Sequence, residues 1–386
     1  MTEPPPYLYV ADPAGLRLVL SELGRVPAVA VDTESDSMHS YHEKVCLLQL
    51  STGDASFIVD PLALGPEMGA LAARFADPGL RKVFHGADYD VVSLKRSFGF
   101  RIRGLFDTMV AAQFLALPHL GLADLVSAEF GDVLDKRFTK MDWARRPLGE
   151  SELFYSYLDV KYLLPLAERL ERRLVERDLL DEAVIEFLRL EEREPAEREF
   201  DPDSYRRIRG SRDLDDRGLS VLRELVVGRE REARRIDRPS FKVLAADTMV
   251  RIAAGAPRTE GELARIKGVT PYVMRKLARL ILDAVARGID RGRPPPPGKK
   301  KAGSPRLSPR QQRQMERIKE WRKVAAAERG VPTVVVLGNL AVLDIVIASP
   351  RSLDDLAAVP GVGEKRARLH GPAILDLLAG RGRPEE

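Results

Sequence analysis

The most constraining feature of this sequence is residues 29–34, where an apolar run ends in two carboxylates, Asp32 and Glu34. Side chains two positions apart share one face of an extended strand, so these two carboxylates point the same way. Like charges held this close repel each other unless a cation neutralises them. Two interpretations stay open at this point: a metal-carboxylate site at the end of a strand, or a strand that runs into a polar turn.

Length and composition are those of a globular protein. The chain has 386 residues, 44% of them hydrophobic, which is enough for two or three domains with proper cores. We find neither a signal-peptide pattern nor an apolar run long enough to span a bilayer. The single cysteine, Cys46, lies in an apolar run and is interpreted as a buried small side chain. We therefore expect a cytoplasmic protein without an intrachain disulfide.

The net charge of +4 is unevenly distributed along the chain. Residues 287–323 contain thirteen Lys and Arg but only three Asp and Glu, so the remainder is net acidic. A basic segment beside a more acidic body suits a polyanion partner combined with a cation-binding site. Charge runs are also common on ordinary solvated surfaces, so composition favours nucleic-acid binding without fixing it.

The first 200 residues alternate between short apolar runs and amphipathic stretches. Strands are predicted at residues 28–32, 45–51, 56–60 and 81–84, and helices at 16–23, 68–75, 88–98, 108–115, 121–130 and 150–176. Asp107 is the expected N-cap of the helix that begins at residue 108. Three neighbouring strands followed by a strand and helices predict an α/β domain in which helices cover a mixed sheet.

Further acidic residues follow Asp32 and Glu34 later in the chain, at separations that still fit within one domain. Asp88 and Asp90 lie in the first helical turn after a strand; helix capping accounts for Asp88, whereas Asp90 is free for another role. His85 has no second histidine at metal-ligand spacing and is interpreted as structural. Tyr155 and Asp159 are four residues apart, so they share one face of a predicted helix. The apolar neighbours of Asp159 argue against simple solvation of its carboxylate.

Taken together, these segments resemble the DEDD family of 3′-to-5′ exonucleases, in its tyrosine subtype. An Asp-x-Glu strand, an Asp after a strand and turn, and a Tyr-x-x-x-Asp helix occur in the family's order. The stretches that resemble the ribonuclease D branch are residues 29–35, 82–94, 105–111 and 142–165. The resemblance implies a ribonuclease H-like fold for the first 200 residues. It also implies a set of catalytic residues, namely Asp32, Glu34, Asp90, Tyr155 and Asp159.

The resemblance further implies two divalent metal ions, Mg²⁺ or Mn²⁺, because hard cations prefer the oxygen ligands that carboxylates supply. Two such ions about 3.5–4 Å apart can generate a hydroxide nucleophile and stabilise the leaving oxyanion. In the family's pattern Asp32 bridges both ions, Glu34 and Asp159 hold the ion that binds the attacking water, and Asp90 serves the second ion. Tyr155 would orient that water rather than act as a general base.

The second half of the chain contains an internal repeat. Gly268 aligns with Gly361, and the same ungapped offset of 93 residues pairs Pro239 with Pro332. Such a repeat predicts two copies of one small helical domain. Each copy resembles the HRDC domain, the first through the signature at residues 238–244, whereas the second lacks the aromatic residue of that signature.

We therefore expect an exonuclease domain followed by two accessory modules. The predicted segments are an exonuclease domain at 1–200, a first HRDC domain at 210–290, a Pro/Lys-rich linker at 291–306 and a second, more divergent HRDC domain at 307–381. HRDC domains are typically nucleic-acid-binding or protein-docking modules. The linker should let the last domain move relative to the others.

Two short basic segments are candidate nucleic-acid contacts. The lysine run of the linker would add salt-dependent affinity for a polyanion. A glycine-rich turn before a basic helix either grips a phosphate or is an ordinary helix junction. The candidate residues are Lys299, Lys300 and Lys301 in the linker, and Gly361, Gly363, Lys365 and Arg366 in the turn.

The favoured hypothesis is a metal-dependent 3′-5′ exoribonuclease that trims single-stranded 3′ extensions of RNA and releases nucleoside 5′-monophosphates. The family's typical substrates are tRNA precursors, and no obligate protein partner or membrane is indicated. A 3′-5′ DNA exonuclease in DNA repair stays open, although we see no phosphate loop of a helicase. A non-catalytic RNA-binding scaffold is a second alternative, against which the complete carboxylate set argues.

Overall fold

The computed structural model describes residues 6–135, 137–138, 141–195, 199–296 and 307–381. The chain divides into two compact units. One unit comprises Met1–Ser35, Val45–Pro195 and Arg306–Glu386, and the other comprises Asp36–Lys44 and Ala196–Pro305. The chain therefore leaves the first unit directly after the strand that carries Asp32 and Glu34, and it returns at Val45.

A six-stranded mixed sheet forms the centre of the first unit. The strands are β1 (Leu8–Val10), β2 (Ala28–Ser35), β3 (Val45–Ser51), β4 (Ser56–Val59), β5 (Arg81–Phe84) and β6 (Leu105–Asp107), in the spatial order β1-β4-β3-β2-β5-β6. The β2–β3 and β3–β4 pairs are antiparallel, as hairpin pairing predicts, and the other neighbours are parallel. Strand β2 thus lies inside the sheet, between β3 and β5.

Helices complete the α/β fold of the segment predicted as an exonuclease domain. They are α1 (Pro13–Leu23), α2 (Pro61–Leu64), α3 (Ala72–Ala76), α4 (Asp88–Phe98), α5 (Thr108–Phe114), α6 (Leu122–Phe130), α7 (Glu150–Lys161), α8 (Leu163–Glu176) and α9 (Leu180–Glu191). The α/β prediction is confirmed. Asp107 is also confirmed as the N-cap of α5, because its carboxylate accepts hydrogen bonds from two backbone N–H groups in the first turn of that helix. Helix α8 buries Leu166, Leu170 and Leu174, one residue per turn, in the common core.

The secondary structure differs from prediction in several places. Strands β1 and β6 were missed, because three residues are too few to show an alternating pattern. The predicted helix at 68–75 is a 3-10 helix, Gly65–Leu71, followed by the short α3. The single helix expected at 150–176 breaks at Tyr162 into α7 and α8. Pro165 explains the break, since it lacks the N–H that would bond to residue 161.

The C-terminal half repeats one succession of helices. The first copy contains α10 (Asp216–Arg235), α11 (Ser240–Val243), α12 (Ala246–Gly255), α13 (Glu260–Ala264) and α14 (Pro271–Arg291). The second contains α15 (Pro309–Arg329), α16 (Thr333–Val336), α17 (Asn339–Ala348), α18 (Leu353–Ala357) and α19 (Gly363–Ala379). For each of the helices α10 to α13 in the first copy, the corresponding helix of the second copy begins 93 residues later. This confirms the offset predicted from the sequence. Each copy has an apolar core of its own.

The two copies belong to different units. The second copy is part of the first unit, where Val335 is fully buried in the core of the exonuclease fold and Val331 and Val334 pack against that core. This contact holds the second copy in place, contrary to the expected free movement. In the described ranges, no single helix is long and apolar enough to cross a membrane, although Pro309–Arg329 and Thr333–Ala348 together meet those two criteria across a 106° bend.

Candidate active site

The predicted acidic residues converge at the end of the central strand. Asp32 and Glu34 on β2 and Asp159 on α7 each offer a carboxylate oxygen, and these oxygens all lie within 4.8 Å of one another. Strand β5 runs parallel to β2, so α4, which follows β5, begins close to the same edge of the sheet. Asp90 on α4 is buried and accepts a hydrogen bond from the hydroxyl of Thr33. The fold therefore joins residues that are more than one hundred positions apart.

Burial raises the pKa of each of these carboxyl groups, and repulsion within the cluster raises the pKa values of Asp32 and Glu34 further. Burial, followed by the charges of Asp159 and Asp90, raises the pKa of Glu34 to about 9. Burial and the three neighbouring carboxylates raise the pKa of Asp32 well above its ordinary value. Burial is the largest cause for the other two groups, raising the pKa of Asp90 to about 6 and that of Asp159 to about 7. The cluster is therefore short of positive charge.

The donor set fits a hard divalent cation. Its oxygen ligands are those that Mg²⁺ and Mn²⁺ prefer, and a cation placed among them would remove the repulsion that raises their pKa values. Gln49 lies directly opposite Asp32 in the β2–β3 ladder and is fully buried. Within the described part of the chain its side-chain amide has no hydrogen-bond partner. A buried amide without a partner beside a carboxylate fits a site that receives a further polar group.

Tyr155 lies one helical turn before Asp159 on α7, as the spacing predicts. Its ring packs edge-on against Phe138, with centroids 5.6 Å apart, and in a tilted arrangement against Trp143 at 6.0 Å. Trp143 is buried, so the ring of Tyr155 is held between two large aromatic side chains. These contacts fix the plane of the tyrosine ring beside the carboxylate cluster.

Arg146 anchors the segment that leads into α7, and sequence reasoning did not identify it. Its guanidinium Nε lies 2.6 Å from Asp60 Oδ2 and one terminal nitrogen lies 2.8 Å from Asp60 Oδ1, a bidentate pair. The same guanidinium donates a hydrogen bond to the backbone carbonyl of Cys46 on β3. Burial alone would raise the pKa of Asp60, but hydrogen bonds from Arg146 and Tyr9 lower it. No local pattern connects residues 60 and 146, so only the fold shows this pair.

Two side chains near Asp90 have structural roles. His85 Nδ1 lies 2.9 Å from the hydroxyl of Thr108, and burial lowers the pKa of His85, in agreement with its structural interpretation. Asp88 is in the first turn of α4, but it is not the N-cap residue of that helix. Instead its carboxylate pairs with Arg193 at 2.5 Å. Neither residue is a member of the carboxylate cluster.

The structure corrects the predicted phosphate-binding turn. Only 9% of the Lys365 side chain is exposed, and its Nζ lies 2.9 Å from Glu182 Oε2 and 2.8 Å from Asp178 Oδ1. Arg366 is fully buried, lies 3.2 Å from Glu186, and donates hydrogen bonds to backbone carbonyls of its own domain. Both cations are therefore neutralised by acidic residues of α9 and the turn before it, and they are not presented to a phosphate.

The two glycines of this turn are required by close approach to α9. Gly361 has φ +84° and Gly363 has φ +71°, values that disfavour residues with a Cβ. A Cβ at Gly363 would lie 2.5 Å from Ile185 Cδ1, and one at Gly361 would lie 2.1 Å from a guanidinium nitrogen of Arg189. The turn is thus a docking element between the second HRDC copy and α9. The other candidate segment, 299–301 (Lys299, Lys300 and Lys301), lies outside the described residues.

Comparisons with known proteins agree with this fold and site. The 3′-5′ exonuclease family matches residues 7–175, and the HRDC family matches residues 218–285 and 311–378. The catalytic core of RRP6 from Trypanosoma brucei superposes with a TM-score of 0.69 at 30% identity, over 74% of this chain and 80% of that one. Escherichia coli RNase D shares the fold over 98% of this chain and 100% of that chain, with a TM-score of 0.65 and 23% identity. These matches define the class as a 3′-5′ exonuclease.

Two curated relatives make the assignment more specific. Ribonuclease D of Gluconacetobacter diazotrophicus is 35% identical over 295 residues, covering 75% of this chain and 74% of that protein. Ribonuclease D of Acidiphilium cryptum is 30% identical over 376 residues, covering 95% of this chain and 91% of that protein. The chain belongs to the ribonuclease D family and is a 3′-5′ exoribonuclease.

Proposed function

We propose that this exoribonuclease depends on divalent metal ions and removes single-stranded 3′ extensions from RNA, with tRNA precursors as the substrate class and nucleoside 5′-monophosphates as products. The observation that supports metal dependence best is the convergence of Asp32, Glu34 and Asp159, whose ligand oxygens lie within 4.8 Å of one another. A partly buried cluster of like charges would be costly to keep unless a cation binds to it.

Each residue of the site has a proposed role. Asp32, Glu34 and Asp159 would hold one divalent ion, and Asp90 together with Asp32 would hold a second. When bound, the ions supply a nucleophilic hydroxide at neutral pH and stabilise charge on the leaving oxygen. The hydrogen bond from Thr33 fixes the orientation of the Asp90 carboxylate. Tyr155 positions the attacking water through its hydroxyl, which can both donate and accept a hydrogen bond.

RNA is favoured over DNA because the curated relatives that cover most of this chain are ribonucleases D. The Saccharomyces cerevisiae relative, 30% identical over 302 residues, is named as an exosome complex exonuclease. A substrate with a folded body and a short 3′ tail also suits one hydrolytic domain with HRDC modules beside it. The tail would enter the carboxylate site while phosphates of the body are held electrostatically.

A single set of incubations tests this proposal. Labelled single-stranded RNA, a tRNA with a 3′ extension and single-stranded DNA are each incubated with Mg²⁺, Mn²⁺ or EDTA, and the products are resolved by length. We expect stepwise shortening of both RNAs from the 3′ end in Mg²⁺ or Mn²⁺, release of 5′-monophosphates, and no shortening in EDTA. Binding without shortening in either metal would instead support the scaffold, and shortening of DNA at the rate of RNA would support the DNA exonuclease.

A further inference from the structure

Trp143 lies in the segment 131–149, which joins α6 to α7 and contains no helix or strand in its described residues. Its indole ring is buried, and within the described part of the chain the indole N–H has no hydrogen-bond partner. Neither a backbone ladder nor a hydrogen bond of its own side chain therefore fixes this ring. The position of the ring depends on packing and on the contacts that hold the backbone of Trp143.

The Arg146 guanidinium holds that backbone. One terminal nitrogen donates a hydrogen bond of 2.7 Å to the backbone carbonyl of Trp143. The other nitrogens bind Asp60 in the bidentate pair and the backbone carbonyl of Cys46 on β3, the latter at 2.9 Å. Asp60 is itself fixed, because it caps α2 and accepts a hydrogen bond from Tyr9. Arg146 thus ties the carbonyl of Trp143 to the central sheet.

The ring of Trp143 passes this constraint on to Tyr155. The two rings are inclined by 30° with centroids 6.0 Å apart, and Phe138 packs edge-on against the same tyrosine. The Tyr155 hydroxyl can position a water beside Asp159 only if the phenol ring keeps one orientation. A misplacement of about 1 Å at a reacting group can lower a rate about 10²-fold. Contacts that fix the plane of this ring therefore bear directly on the rate of the reaction.

We propose that Arg146 is a positioning residue for hydrolysis, which holds Trp143 against Tyr155 and thereby fixes the position of the Tyr155 hydroxyl. The inference rests on the water-positioning role of Tyr155 in the proposed function, and it adds the group that sets the geometry of that hydroxyl. Within the described residues, Arg146 hydrogen-bonds to Asp60 and to backbone carbonyls, not to the carboxylate cluster. It therefore acts through Trp143 rather than on the metal ligands.

A double-mutant cycle tests this proposal, with kcat and KM measured for hydrolysis of oligouridylate in Mg²⁺ by the full chain. Arg146→Lys keeps the charge but removes the planar fork, so we expect kcat to fall about tenfold while KM changes less than about twofold. In the Tyr155→Phe background, which lacks the hydroxyl, adding Arg146→Lys should lower kcat less than about twofold. An equal loss of kcat in both backgrounds would overturn the proposal, since Arg146 would then act independently of the hydroxyl.

Arg81→Lys is the matched control. Arg81, at the start of β5, forms a bidentate pair with Glu171 at 2.6 and 2.7 Å. Its side chain is 38% exposed, against 26% for Arg146, so the two pairs are similar in geometry and exposure. Because the Arg81 pair lies outside the connection from Arg146 to Tyr155, this variant should keep kcat within about twofold of the wild type. A loss of kcat equal to that of Arg146→Lys would show a general loss of stability instead of positioning, and would overturn the proposal.

The fluorescence of Trp143 gives a second measurement, which needs no hydrolysis. The chain has two tryptophans, so Trp321→Phe leaves Trp143 as the single emitter. In that background Arg146→Lys should increase quenching by acrylamide, whereas Arg81→Lys should leave it unchanged. Unchanged quenching in Arg146→Lys would overturn the proposal.

Two further arrangements keep the outcome clear. Circular dichroism checks the fold of each variant, and Asp60→Asn replaces Arg146→Lys in both measurements if the lysine variant does not fold. Intact RNA in every incubation with the wild-type chain would contradict the proposed function, whereas the quenching measurement still decides whether Arg146 holds Trp143.

Discussion

Two groups of carboxylates in the first unit, one partly buried and one fully buried, are surrounded in opposite ways. In the carboxylate cluster, no ion pair within the described ranges reaches Asp32, Glu34 or Asp159, although their ligand oxygens lie within 4.8 Å of one another. The fully buried Glu182 on α9 instead faces Lys365 Nζ at 2.9 Å and an Arg329 nitrogen at 2.6 Å. Both groups bury negative charge, but only the second is neutralised by the chain.

This difference distinguishes two roles of a buried carboxylate, one in function and one in holding a domain in place. A buried carboxylate without a counter-charge costs stability and is retained where a cation from outside is to bind. A buried carboxylate whose cations come from another domain ties that domain in place, because removal of one partner leaves the other buried and unpaired. The comparison predicts that substitutions at the two groups have opposite effects on stability.

The largest expected effect is on hydrolysis. Asp32→Asn removes the carboxylate whose pKa is raised by the charges of all three others, so we expect the rate of RNA hydrolysis in Mg²⁺ to fall about 10³-fold or more. The same variant should melt at a higher temperature than the wild type in EDTA, because one of several repelling charges is gone. Asp88→Asn, on the same helix as Asp90 but outside the cluster, serves as the control and should retain the wild-type rate. Loss of stability on Asp32→Asn in EDTA would contradict the comparison.

Substitution at the neutralised group should act in the opposite sense. Lys365→Ala should lower the free energy of unfolding by about 3 kcal/mol. This is the lower end of the range for a broken buried ion pair, because Arg329 still faces Glu182 in the variant. Thermal melting followed by circular dichroism measures the loss. The matched control is Lys323→Ala, which breaks a pair of similar length, 2.8 Å, on the exposed side of α15. An exposed ion pair contributes less than about 1 kcal/mol to stability. Equal losses in the two variants would therefore contradict the conclusion that the ion pairs of α9 hold the second HRDC copy in place.

The carboxylate cluster should also make stability depend on pH when metal is absent. Carboxyl groups whose folded pKa values are raised, to about 9 for Glu34 and about 7 for Asp159, keep protons that the unfolded chain releases. The unfolded state then binds fewer protons, so stability falls as pH rises from the ordinary carboxyl range, and it levels off above pH 9. Between pH 7 and 9 we expect a loss of about 2 kcal/mol in EDTA. Saturating Mg²⁺ should remove most of this loss of stability. A melting temperature that does not depend on pH in EDTA would refute the assignment of these carboxyl groups as a cation site.

The smallest of these effects concerns the backbone of the docking turn. Gly363→Ala should cost about 1.5 kcal/mol, since the new Cβ meets Ile185 and the residue keeps a positive φ. Ile185→Ala in the same chain should recover part of this loss by making room. The double-mutant cycle from four melting curves measures the coupling between the two sites. Strictly additive changes would show that the turn does not press against α9.

Much of the exonuclease fold could be predicted because its signals are local. Spacings of two to four residues were enough to predict strand β2 with its two carboxylates and the Asp107 cap. They also predicted the positions of Asp90 and of the pair Tyr155 and Asp159. The offset of 93 residues likewise predicted the matching helices of the two copies. Strands β1 and β6 were missed because neighbouring strands, rather than their own pattern, define them. The Arg146 and Asp60 pair was missed because it joins segments far apart in the chain.

The turn at Gly361 and Gly363 shows the limit most clearly. The sequence by itself determined that a glycine-rich turn precedes a basic helix, and that carboxylates of three segments belong to one kind of chemistry. Only the tertiary structure decided that Lys365 faces Glu182 rather than solvent, and that Arg238 in the other copy stays exposed. The physical reason is that charge and backbone freedom are local properties of a residue, whereas burial and the partner of a charge depend on which surface packs against it.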